Sequence, residues 1–202
     1  VATMKGEPTS GPASSHERQR VVSGKGHLPR LAPEWYRGRA AILWTPTIDK
    51  RATGWLTPDF HGHWQLTLLH TCSRHSLLCA AYVLMPDHAH LLWLGLDDRG
   101  SDQRVAMEFL RKTLRPFLAP ADWHHQPHDH VLREHERERD ALQATAHYIF
   151  ENPARASLVA RWQDYAYVGC CVPGYPDFDP RAADYWKRFW RCHNYLVEKH
   201  GS

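Results

Sequence analysis

Residues 82–94 read YVLMPDHAHLLWL, an apolar run interrupted by two histidines with a single alanine between them. Along a β-strand successive side chains alternate faces, so His88 and His90 point the same way and Ala89 points the other. Two imidazoles converging on one face can bind a single divalent ion. The competing reading is a hydrogen-bonded histidine pair on a half-exposed sheet. A second stretch, HYIFENPARASLV at 147–159, places Tyr148 and Asn152 four residues apart, on one face of a helix. A phenol held in line with a leaving oxygen can attack a phosphodiester that a metal polarises. Tyrosine at a helix end also serves as a packing residue, and Asn152-Pro153 suits the cap and first turn of a further short helix.

The chemistry requires elements that bring these residues together. AAILWTPTI at 40–48 suits a central strand, and the apolar positions from Pro58 to Ser76 suit a helix. CAAYVL (79–84) and HAHLLWL (88–94), joined by MPD, suit an antiparallel hairpin. Ser101 and Asp102 offer caps for a helix carrying Met107, Leu110, Leu114 and Phe117, which ends near Arg115-Pro116. A short strand over 128–132 precedes a helix from about Glu136 to Glu151, where Pro153 stops it. The order β-α-β-β-α-β followed by an added helix is that of an α+β, ferredoxin-like split βαβ antiparallel sheet with helices on one face. Beyond residue 160 the sequence suggests a strand around Tyr165–Cys171 and a helix from Pro180 to His200, with Trp186 and Trp190 as a packing stripe. Residues 161–202 thus form an aromatic-rich extension.

Composition narrows the setting. With 202 residues, 43% hydrophobic and 23% charged, the chain suits one globular domain. A formal net charge of +3 permits a polyanionic partner without requiring one. Sixteen histidines, several in HHQPHDH at 124–130, are compatible with metal or phosphate contact. Five cysteines without CxxC spacing point to a reducing compartment. Residues 1–30, rich in Gly, Pro, Ser and charge, read as a flexible tail. No stretch has the length and apolarity of a membrane span or a signal peptide, so a cytoplasmic protein with no membrane partner is expected.

The motifs together resemble a known family. YVLMPDHAHLLWL is similar to the MPNHVHLL signature of single-tyrosine HUH transposases, and YIFENPARASLV resembles their YIxxNPxRAxLV element. WHHQPHDHVLR at 123–133 is similar to the Trp-rich, DHxLR-containing segment of REP-associated tyrosine transposases. The resemblance spans roughly 34–160, with the three motifs in family order. It implies an HUH nuclease domain that cleaves single-stranded or hairpin DNA, leaving a 5′-phosphotyrosine and a free 3′-hydroxyl. Carried over, Tyr148 is the nucleophile, and His88, His90 and Asn152 hold magnesium or manganese. An imidazole-rich site favours manganese, since magnesium prefers oxygen ligands. Asp87 departs from the family's Asn and adds a carboxylate that can orient a histidine, bind the ion or close the turn. The stretch VGCCVPGYPDFDP departs from the family's continuation, so target recognition can differ.

For holding nucleic acid, the candidates are Arg155, just beyond the tyrosine, with Arg111, Arg115 and Arg133 for phosphates and Trp123 for base stacking. The arginines of LREHERERD also suit a solvated, salt-bridged face. The leading reading is a DNA-nicking and joining transposase acting as a monomer or homodimer. The alternatives are a domesticated, non-catalytic single-strand or hairpin DNA-binding protein, and a zinc hydrolase in which Tyr148 is dispensable.

Overall fold

The computed structural model describes residues 31–200, and the expectation of a tail over 1–30 lies outside them. Five strands and four α-helices run in the order β1 (Ala41–Thr45), α1 (Pro58–Arg74), β2 (Leu77–Met85), β3 (His88–Gly95), α2 (Gln103–Leu118), β4 (His128–Val131), α3 (Arg139–Arg155), β5 (Val168–Cys171) and α4 (Tyr185–His200). The sheet order is β4-β1-β3-β2-β5, with every pairing antiparallel. This is the mixed α+β, ferredoxin-like architecture that the sequence pattern implies, except that helices cover both faces of the sheet and not one, because the strands bury apolar side chains on each side.

Local chemistry explains most boundaries. Thr57 Oγ1 accepts the Phe60 N–H at 3.1 Å and Pro58 takes the first turn, so α1 starts there. Its buried stripe is Phe60, Trp64, Thr67, Leu68, Thr71 and Cys72, while Leu66 and Leu69 face outward. That outward pair is why its apolar pattern fits a helix imperfectly. Asp102 caps α2 by accepting from the N–H groups of Arg104 and Val105. Ser101, the other cap candidate, is buried and donates instead to Ser76 O at 2.7 Å. The helix runs through Pro116 to Leu118, past the expected end.

Strand alternation divides the core into two layers. Trp44 and Trp93 face α1 and α2: their rings lie 6.5 Å apart, and the Trp44 indole N–H donates to Gln103 Oε1 of α2. The two helices of the split βαβ unit thus share this face. Leu92, Leu94, Ala41 and Val83 face the other way, into a cluster with Leu142, Ala146, Ile149 and Phe150 of α3 and with Tyr185, Phe189 and Cys192 of α4. With both faces covered, all nine residues of β2 are buried, each large apolar side chain contributing about 1.5–3 kcal/mol. Trp186 and Trp190 pack at the edge of this cluster, as their spacing suggests.

One expectation is overturned here. Pro153 does not stop α3, and Asn152 does not begin a new helix: α3 passes through both to Arg155. Proline lacks the N–H that would reach the Ile149 carbonyl four residues back. Asn152 Nδ2 supplies it, donating to Ile149 O at 3.1 Å and to Tyr148 O at 3.0 Å. The side chain before the proline thus repairs the ladder that the proline breaks.

Candidate metal and nucleophile site

The hairpin of β2 and β3 turns at Pro86-Asp87 and sets Met85 opposite His88 and Val83 opposite His90. His88 and His90 fall on the face shared with Leu92 and Leu94, the side that α3 partly covers. Their Nε2 atoms face each other at 3.1 Å. Each outer nitrogen is tied down: His88 Nδ1 lies 2.6 Å from Asp87 Oδ1, and His90 Nδ1 lies 3.0 Å from Thr45 Oγ1. An ionised carboxylate only accepts, so His88 carries a hydrogen on Nδ1, and in the neutral ring Nε2 is then left with a lone pair facing inward. Arg51 pairs with the other Asp87 oxygen at 2.9 Å.

The electrostatics favour a neutral His90. Burial, and then the neighbouring His88, push the His90 pKa down to about 4. Burial raises the Asp87 carboxyl, but the bonds and charges of His88 and Arg51 outweigh it and hold the group below its ordinary value. The Thr45 hydroxyl can donate or accept, so His90 can present either an N–H or a lone pair to its partner ring. The pair therefore suits a shared hydrogen bond and, equally, a shared cation.

The Nε2 separation of 3.1 Å is short enough that both nitrogens could hold one divalent ion. The outer bonds to Asp87 and Thr45 are the kind that fix ring orientation at metal sites. Among the described residues, no group of three or more His, Cys, Asp or Glu side chains is gathered to hold a metal. An amide, water or phosphate oxygen could add to the two nitrogens.

The tyrosine is carried by α3, which packs mainly on β2 and also touches β3. Phe150 stacks on Trp162 at 4.9 Å, and Tyr165, three residues on, donates to Leu84 O at 2.9 Å. Leu84 lies opposite Ala89, so the C-terminal half of α3 sits at the histidine end of the sheet. Tyr148 precedes Phe150 by two residues and therefore lies about 160° round the helix from it, on the flank away from β5. Its ring is 50% exposed, with the Arg155 guanidinium 4.4 Å from the ring centre. No hydrogen bond links it to either histidine among the described residues. Asn152 spends its amide N–H groups on α3, leaving Oδ1 as a potential ligand.

The proposed nucleic-acid residues divide. Trp123, put forward for base stacking, is 4% exposed: it bridges to Ile48, packs near Trp55 and donates from its indole to Arg111 O. It is a core residue, so that assignment is corrected. Arg111 donates to the carbonyls of His124 and His125, and Arg115 pairs with Asp122 at 2.8 Å. Both pin the loop after α2. Arg133 is exposed beyond the Ala41 end of β1, far along the sheet from the pair. Arg155 alone of the four arginines lies against the tyrosine. Sequence reasoning missed Thr45 as the partner of His90, and left the role of Asp87 open. Thr45 stands at even spacing from Leu43, but its pairing depends on the order of β1 and β3.

Neither a protein-family model nor a curated protein sequence matches the chain. Among solved structures, the chain is similar to one described as a REP-associated tyrosine transposase bound to a REP hairpin, at a TM-score of 0.56 and 18% identity, covering 66% of this chain and 78% of that one. The likeness supports the fold. No helix among the described residues is long and apolar enough to cross a membrane.

Proposed function

We propose that the protein is a metal-dependent single-stranded DNA transesterase of the transposase type, working through a 5′-phosphotyrosine on Tyr148. The observation that carries the reading is the histidine pair, its inner nitrogens 3.1 Å apart and its outer ones anchored. The likeness to a transposase bound to a DNA hairpin supports single-stranded or hairpin DNA as partner. Magnesium or manganese would supply the charge that polarises the scissile phosphate.

The residues would act as follows. His88 and His90 hold the ion through Nε2, with Asp87 and Thr45 fixing the rings and Asn152 Oδ1 as a further oxygen ligand. Tyr148 Oη forms the bond to phosphorus while the bond to the 3′ oxygen breaks. The phenol proton passes to solvent, and the 3′ oxygen leaves with a proton from solvent. Because the phosphotyrosine retains an ester, a 3′-hydroxyl can reverse the step and rejoin DNA. The contact with Arg155, an exposed cation–π interaction of about 0.5–1 kcal/mol, is a small restraint on any reorientation of Tyr148 towards a bound phosphate.

One observation favours the non-catalytic DNA-binding reading: Tyr148 is held by Arg155 and is not bonded to the pair. Incubating single strands with manganese and looking for a covalent adduct on a denaturing gel, with wild type beside Tyr148→Phe, decides between them. An adduct lost in the variant supports catalysis by the phenol, and cleavage that survives removes that mechanism. Tight binding with no adduct supports the binding protein.

A further inference from the structure

The strip of sheet beside the pair is only partly covered. Along β1 and the three residues that follow it, Ile42, Trp44, Pro46 and Ile48 are buried, while the alternating Leu43, Thr45 and Thr47 are only partly buried. On edge strand β4 the same alternation leaves His128 and His130 exposed. Register puts these residues in line. Val83 faces His90, His90 bonds Thr45, and Thr45 faces His128, so one row crosses four strands; Thr47 lies beside His88 in the next. At about 4.8 Å between strands, His128 stands about 10 Å from His90 along the row.

We propose that this strip is a track for the sugar–phosphate backbone of a single DNA strand, with His128 as the first contact beyond the histidine pair. The inference rests on the reading of that pair as the centre of a DNA-cleaving site. Hydroxyl and imidazole N–H groups are donors suited to phosphate oxygens, and an imidazole face can also stack on a base. A protein partner would need an apolar centre, and the strip offers only half-buried Leu43. Glu136, which borders it, has its carboxylate bonded to His130 Nε2 at 2.9 Å and to the Arg133 N–H at 2.7 Å, which limits repulsion of an anion. The His128 side chain makes no hydrogen bond among the described residues, so its ring is available. The histidine run thereby gains a role distinct from that of Trp123 in the same motif.

The test uses the full chain carrying Tyr148→Phe, so that DNA is bound and not consumed, with manganese present. Fluorescence anisotropy with a labelled pool of randomised single strands measures affinity with and without His128→Ala. The expected result is a weakening of about five- to tenfold at unchanged manganese affinity, with a duplex pool competing poorly. Unchanged DNA affinity in the His128 variant, while the otherwise wild-type chain still forms the tyrosine adduct, overturns the track and leaves the function standing. Loss of manganese affinity would make His128 a metal ligand and also overturn the track, as would equal competition by duplex. Absence of both adduct and strand binding in the wild type sinks the function and the track together.

Discussion

His88 and His90 aim their Nε2 atoms at a common point while Asp87 and Thr45 hold the opposite edges of the two rings. The orientation of each ring is thus set by a neighbour outside the pair. Asp87 also carries Arg51 on its second oxygen, so two side chains outside the pair fix the geometry of the first ring.

Removing that support should weaken the site without removing a ligand. Asp87→Ala is expected to lower manganese affinity by about 10–100-fold, the usual range for loss of an orienting partner. Isothermal titration against wild type measures it. Equal affinities would mean that the carboxylate serves the turn alone.

Arg155 makes a different prediction. Its guanidinium covers the exposed Tyr148 ring, so Arg155→Ala should change stability by less than about 1 kcal/mol. On the proposed mechanism adduct formation should nevertheless slow by about tenfold or more, because the same cation would meet the phosphate that Tyr148 would attack. Arg155→Lys keeps the charge and should recover part of the rate. A full rate in the alanine variant would rule out this role.

How far these features could be read in advance depends on whether they are local. The HxH pair was legible because alternation along a strand is fixed by backbone geometry, whatever the rest of the fold does. Four-residue spacing likewise put Tyr148 and Asn152 on one helix flank. Thr45 and His128 were not legible as neighbours of His90, since their approach requires the order β4-β1-β3, and strand order is set by long-range packing. Trp123 was misread because a tryptophan beside histidines looks the same in sequence whether it is exposed or tucked against Ile48 and Trp55. The fate of Pro153 turned on a side-chain bond that periodicity does not encode, although an Asn directly before a Pro inside a periodic helix is the signal that could have suggested it.

Acid should reveal the burial of His90. Its pKa falls from an ordinary value of about 6.5 to about 4, chiefly through burial and next through His88. Between these values the unfolded chain binds the proton that the folded chain refuses, so stability is fully present above pH 6.5 and declines as pH falls towards 4. The decline due to this group is on the order of 3–4 kcal/mol at most. Urea unfolding in a chelating buffer, wild type against His90→Ala, measures it as a difference in pH slope. Parallel slopes would show that the ring is not held neutral.

Asn152 offers the cleanest separation of scaffold from chemistry. Its amide replaces the donor that Pro153 lacks, so Asn152→Ala leaves the Ile149 carbonyl unpaired and should destabilise the protein by about 1–2 kcal/mol without any metal. Asn152→Asp should be worse, because a carboxylate would face two carbonyl oxygens with no hydrogen to offer. Adding Pro153→Ala to the alanine variant restores a backbone N–H opposite Ile149, and most of the lost stability should return. Manganese affinity of that repaired double variant then isolates the ligand role. A deficit that persists after stability recovers assigns Oδ1 to the ion; full affinity confines Asn152 to holding α3 through its proline.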